Sequence, residues 1–240
     1  LMQKVILIQS PAKYIEVVPI FCKECLKHNI FDKIYIATSE PLPELDSRCQ
    51  VIKLKKDEQF SSNILRALPH IQEDIILLCC EDHIMLDKHN KEDFDMTFDF
   101  MERNKSVGFL RLTCHDKVKF VSKNSDFINE LHPSYPYLIS LQPSWWRKSF
   151  IESCFKHRED AWQTEIKGSK RSRKLPIKKY CVNRTIYFAT NFYKDGQYMR
   201  HYFADYVKKN NMAVENPMDV FVKKKLPDGD KKSIVPYEKY

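Results

Sequence analysis

Asp74-Ile75-Ile76-Leu77-Leu78-Cys79-Cys80-Glu81-Asp82-His83 decides the fold. After Asp74 the run is wholly apolar for six residues and then breaks into two carboxylates and an imidazole. A short continuous apolar run with no alternation is the mark of a strand buried on both faces, which is the situation of a parallel sheet covered by helices. In open sheets of that kind ligands bind beyond the carboxyl ends of the strands, so Glu81, Asp82 and His83 stand where chemistry is expected.

Upstream, Val5-Ile6-Leu7-Ile8-Gln9, Lys33 to Thr38 and Gln50 to Leu54 repeat the pattern of short interior strands. A helical stretch from about Tyr14 to Asn29, interrupted by Pro19, separates the first two. Ser61 or Ser62 caps a further helix carrying Ile64, Leu65 and Leu68, which Pro69 disturbs. Strands alternating with helices predict a mixed, mostly parallel α/β sheet flanked by helices. Downstream the spacing predicts a helix over 94–101, strands at 106–112 and 137–141, helices near 148–155 and from Asp160, a strand at 185–188 and a helix over 198–209. Residues 1–215 read as a single domain and 216–240 as a basic extension.

The 240 residues, 43% of them hydrophobic, suffice for a full core. No run of about 18 apolar residues is present to span a bilayer, so the chain reads as soluble and cytoplasmic. Eight cysteines raise the prospect of disulfides or zinc, but Cys22-Lys23-Glu24-Cys25 has no second CxxC and Cys79-Cys80 ends an apolar run. Free thiols in a reducing compartment are the expectation. The net charge of +8 concentrates at 167–179 and at Lys223-Lys224-Lys225. Such patches attract phosphates, nucleic acid or, peripherally, acidic membrane surfaces, and equally form solvated loops. One reading makes 167–179 a lid that orders over phosphates.

Adjacent carboxylates at a dry strand exit repel each other unless a cation compensates them. Mg²⁺ or Mn²⁺, which take oxygen ligands from carboxylates, phosphates and water, answer that need, with Asp82 as a ligand and His83 as a second choice. An exposed acidic turn is the plain alternative. Trp162-Gln163-Thr164-Glu165 places an aromatic and a carboxylate one helical turn apart, a pair suited to a sugar: the ring covers an apolar face and the acid hydrogen-bonds hydroxyls or accepts a proton. Trp145-Trp146-Arg147 either walls an acceptor pocket or anchors a helix in the core. The turn Ser10-Pro11-Ala12-Lys13-Tyr14, after the first strand, suits a nucleotide base or pyrophosphate as well as a simple connection. No GxGxxG, Walker loop, HExxH or nucleophile elbow occurs, which removes several enzyme classes.

Residues 59–68, 75–86, 141–147 and 162–169, in that order, resemble a family of bacterial and large-virus glycosyltransferases of the GT-A fold, including those that glycosylate chlorella-virus capsid protein. The resemblance spans roughly residues 3 to 215. It implies a GT-A-like, Rossmann-like fold and transfer of a hexosyl or deoxyhexosyl group from a nucleoside-diphosphate sugar, UDP-linked by family weight, to a glycan or glycoprotein hydroxyl. It makes the acidic exit the counterpart of the DxD motif, with Glu81 beside the cofactor and Asp82 holding Mn²⁺ or Mg²⁺. Glu81 and His83 depart from the family's usual Asp and apolar or aromatic residue. Ser10, Lys13, Tyr14 and Arg66 become nucleotide contacts, Trp145 and Trp162 acceptor contacts, and Glu165 the general base of an inverting transfer or an acceptor-positioning group in a retaining one. Two rivals stand beside this: a metal-dependent nucleotidyltransferase, against which the missing Gly-rich loop argues, and a basic nucleic-acid-binding module, which leaves the acidic exit unexplained, so no nucleic acid is expected.

Overall fold

The computed structural model describes residues 2–85, 89–115, 117–121, 126–191, 193–194 and 197–198. The basic tail, the boundary at 215 and nearly all of the helix expected over 198–209 lie outside them. In chain order the elements are β1 (Val5–Gln9), α1 (Val17–Lys27), β2 (Lys33–Thr38), β3 (Cys49–Lys53), α2 (Phe60–Ala67), β4 (Ile75–Cys80), β5 (His83–Met85), α3 (Lys91–Arg103), β6 (Val107–Arg111), β7 (Ile128–Glu130), β8 (Ser144–Arg147), α4 (Lys148–Cys154), α5 (Ala161–Ser172), β9 (Lys178–Val182), β10 (Ala189–Asn191), β11 (Tyr193–Lys194) and β12 (Gln197–Tyr198).

Eight strands form one sheet in the order β3-β2-β1-β4-β8-β6-β9-β7. Strands β3, β2, β1 and β4 pair in parallel, as do β6 and β9; β8 runs antiparallel to both β4 and β6, and β7 antiparallel to β9. The carboxyl ends of β1, β4, β6 and β9 therefore share one edge. A second pairing joins β5 to β10, with His83 opposite Asn191.

Alternation along the strands divides the interior into two layers. Ile6, Ile8, Ile75, Leu77 and Cys79 pack against Val17, Val18 and Phe21 of α1 and Phe94, Phe98 and Met101 of α3. Val5, Leu7, Ile76 and Leu78 pack on the opposite face against Ile64 and Ala67 of α2 and Phe150, Ile151 and Cys154 of α4. With both faces covered, β1 and β4 have no use for polar side chains until they leave the sheet. Pro19 is absorbed in the first turn of α1, where its missing N–H costs nothing, and Asn29, at φ 47°, ends the helix through a left-handed backbone. Asn90 and Asp160 cap α3 and α5, accepting from the Glu92 amide at 3.0 Å and the Gln163 amide at 2.6 Å.

Several sequence expectations are corrected. The apolar run 137–141 is irregular rather than a strand, because its backbone bonds to a side chain: Ser169 Oγ accepts from the Ile139 amide at 3.2 Å and donates to the Ile139 carbonyl at 3.1 Å. The strand that lies between β4 and β6 is instead β8, which carries Trp145 and Trp146. Residues 185–188 are also irregular, between β9 and β10. Ser61 and Ser62 lie inside α2 and do not cap it; Ser62 Oγ accepts the Arg158 amide at 2.9 Å and Ser61 Oγ the Glu159 amide at 3.0 Å, tying α2 to the turn before α5.

The basic stretch 167–179 is no lid. Its first half completes α5 and its end enters β9. Lys179 is buried, its ammonium donating to the Ser172 carbonyl at 2.6 Å, and Arg171 grips Glu159 through two bonds of 2.9 and 2.5 Å. All eight cysteines are free thiols. Among the described residues no helix is long and apolar enough to cross a membrane.

Candidate active site

The apolar run ends where β4 ends. Cys80 is its last residue, Glu81 and Asp82 form the turn, and His83 opens β5. Glu81 is buried, and burial, aided by the Asp82 charge, pushes its carboxyl up to about 8; Lys13 acts in the opposite direction and Asp57 adds to the rise. Beside the exit of β4 itself, the turn after β1 and the loop after β3 thus act on Glu81 electrostatically, through Lys13 and Asp57.

Asp82 Oδ1 is buried without a hydrogen-bond partner among the described residues. A carboxylate oxygen in that condition is costly unless a ligand satisfies it. Cys80 Sγ, an Asp82 carboxylate oxygen and a His83 ring nitrogen lie within 4.8 Å of one another. His83 is itself buried, and its Nδ1 accepts the Cys80 amide at 3.3 Å. This donor set, one of whose residues carries an orphaned carboxylate oxygen, fits a divalent cation.

Glu165 approaches from α5. Its Oε1 accepts from Ser140 Oγ at 2.9 Å and from the Leu141 amide at 2.7 Å, which fixes the carboxylate on the irregular 137–141 segment. Burial pushes the Cys80 thiol well up, and the charges of Asp82, Glu81, Cys79 and Glu165 add to the rise. One helical turn earlier, Trp162 is 63% exposed and meets Tyr137 edge-on, ring centroids 6.4 Å apart.

The other expected site residues divide. Lys13 and Tyr14 occupy the turn after β1, the ammonium 4.6 Å from the ring centroid. Ser10 is buried, its hydroxyl donating to the Pro11 carbonyl at 3.4 Å. Arg66 pairs with Glu58 at 3.0 Å, next to Asp57. Trp145 is corrected: it is fully buried and its indole donates to Thr97 Oγ1 at 3.0 Å, leaving no surface for an acceptor. Cys80, Asp57, Tyr137 and Ser140 were not foreseen. Cys80 carried a signal, as a potential ligand two residues before Asp82; Ser140 carried none, because its partner is 25 positions away.

No protein-family model matches the chain, and no curated protein matches it. Solved structures do. The mannosyltransferase PcManGT from Pyrobaculum calidifontis in complex with GDP-Man and Mn²⁺ aligns with a TM-score of 0.56 at 10% identity, covering 97% of this chain and 68% of that one. S. aureus TarS 1-349 in complex with UDP-GlcNAc gives 0.54 at 11% identity, covering 83% of this chain and 61% of that one. The chain therefore spans about three fifths of that structure. CMP:2-keto-3-deoxy-manno-octonic acid synthetase complexed with CTP gives 0.52 at 11%, covering 87% and 100%. At such identities the likeness is one of fold: a Rossmann-like α/β sheet, mostly parallel, shared by GT-A glycosyltransferases and nucleotidyltransferases.

Proposed function

We propose that this chain transfers a glycosyl group from a nucleoside-diphosphate sugar, UDP-linked by expectation, to a hydroxyl of a glycan or glycoprotein. The observation that carries the reading is the orphaned Asp82 Oδ1 at the exit of β4, in the turn where Asp82, Cys80 and His83 bring donor atoms within 4.8 Å of one another. The fold shared with TarS and PcManGT, whose structures hold UDP-GlcNAc and GDP-Man with Mn²⁺, agrees with it.

Asp82, with His83 and Cys80 beside it, would hold a divalent cation, Mn²⁺ or Mg²⁺ by the sequence expectation, and that ion would supply positive charge against the departing diphosphate. Lys13 and Tyr14 flank the nucleotide from the β1 turn, and Arg66 stands at its rim. Trp162 and Tyr137 offer aromatic faces to the acceptor sugar. Glu165, held through Oε1, takes the proton of the acceptor hydroxyl as that oxygen attacks the anomeric carbon in an inverting transfer. In a retaining transfer the same anchored carboxylate positions the acceptor.

Nucleotidyl transfer is the second reading, favoured by the fold match that covers the whole of the CMP-sugar synthetase chain. Product analysis separates the two. Release of a nucleoside diphosphate from a nucleotide sugar supports glycosyl transfer, and release of pyrophosphate from a nucleoside triphosphate and a sugar substrate supports the alternative.

A further inference from the structure

We propose that Cys80 is a metal ligand, its thiolate joining the Asp82 carboxylate and the His83 imidazole in a mixed sulfur, oxygen and nitrogen site that takes Zn²⁺ or Co²⁺ ahead of Mg²⁺. The proposal rests on the reading of the β4 exit as a cation-dependent nucleotide site and changes the kind of cation expected there.

The placement of the thiol argues for it. Side chains alternate along β4, so Cys79 points into the core, with Sγ 4.0 Å from Tyr187 Oη, while Cys80 points to the other face where the strand leaves the sheet. There it remains partly accessible and within 4.8 Å of donor atoms from Asp82 and His83. A further observation points to a ligand rather than to packing: Asp82 Oδ1 is buried with no partner among the described residues, a costly state for a carboxylate oxygen that a cation would relieve.

The donor types then set the preference. Magnesium demands oxygen ligands and dehydrates reluctantly, whereas thiolate and imidazole suit zinc and its neighbours. Coordination balances as Cys80–SH plus M²⁺ giving Cys80–S–M⁺ plus H⁺, so one proton leaves the site with each cation bound.

The test is titration of the metal-free, reduced full chain with Co²⁺, alone and with UDP, followed by absorption spectroscopy. The wild type is expected to develop a thiolate-to-cobalt charge-transfer band in the near ultraviolet. Cys80→Ser loses that band, and Cys49→Ser, an accessible cysteine elsewhere in the chain, retains it. Zn²⁺ abolishes the wild-type band at concentrations where Mg²⁺ leaves it intact, a readout that holds even if Cys80→Ser fails to fold. Cobalt binding without a charge-transfer band, a band that survives in Cys80→Ser, or equal displacement by Mg²⁺ overturns the thiolate ligand while leaving cation-dependent nucleotide binding standing. Failure of the chain to bind cobalt or UDP under any condition overturns both.

Discussion

Asp82 holds a carboxylate oxygen that water does not reach and no described group satisfies, beside a second buried carboxyl, Glu81. Such an arrangement is destabilising by itself, so Asp82→Asn is expected to abolish cation-dependent nucleotide binding without lowering the melting temperature. A fall in the melting temperature would assign Asp82 to the scaffold. Glu165 has the opposite character, being held by two donors, and Glu165→Gln keeps the hydrogen-bonding shape while removing the basic oxygen. We expect kcat to drop by about 10²- to 10⁴-fold with nucleotide affinity unchanged, and unaltered turnover would remove Glu165 from the mechanism. Away from the site, burial lowers the pKa of His28 from 6.5, against the upward pull of Glu24, with its ring 4.6 Å from that of His89. The unfolded chain takes this proton near pH 6.5 and the folded chain resists it. The His28 contribution is therefore intact above that pH and lost as pH falls below it. His28→Gln should flatten the acid side of the melting-temperature profile, and a profile parallel to that of wild type would contradict this.

The two glycines within β6 and α5 test the packing of these elements in opposite senses. A Cβ on Gly108 would stand 2.5 Å from Ile177 Cγ2 and 2.6 Å from Phe150 Cγ, against a ring wedged between α4 and the sheet. Gly108→Ala should cost about 1–3 kcal/mol in denaturant unfolding. A Cβ on Gly168 meets the tip of Ile139, which can rotate, and the helix gains about 0.5–1 kcal/mol from replacing glycine, so Gly168→Ala should be close to neutral. Equal losses would mean that α5 is packed as tightly on 137–141 as α4 is on β6. These contacts also explain what could be read from the chain. Strands β1, β2 and β4 were legible because each is an unbroken apolar run whose neighbours lie on both faces. Strand β9 was not, since Lys178 and Lys179 disguise it as a charged loop and only the folded chain supplies the carbonyls that receive Lys179. Residues 137–141 misled in the other direction, their apolar run satisfied by Ser169 instead of a partner strand. The acidic exit was legible from local sequence alone, whereas the Glu165 anchor depends on Ser140 and Leu141, and no local pattern announces that pairing.

At the scale of the whole molecule, the parallel strands bring their carboxyl ends to one edge of the sheet, where the turn after β1 carries Lys13, the loop after β3 carries Asp57 and the exit of β4 carries Cys80 to His83. Much of the positive charge in 167–179 is tied up internally, Arg171 on Glu159 and Lys179 on backbone carbonyls, which weakens the case for a nucleic-acid surface there. The central claim is that this edge binds a nucleotide through a cation at Asp82. Calorimetric titration with UDP, GDP and CMP, each with Mn²⁺, with Co²⁺ and with no divalent ion, tests it on the wild type and on Asp82→Asn. Binding of one nucleotide by the wild type only when a divalent ion is present, lost in Asp82→Asn, is the predicted result; binding of none, or binding indifferent to both the ion and Asp82, would contradict it.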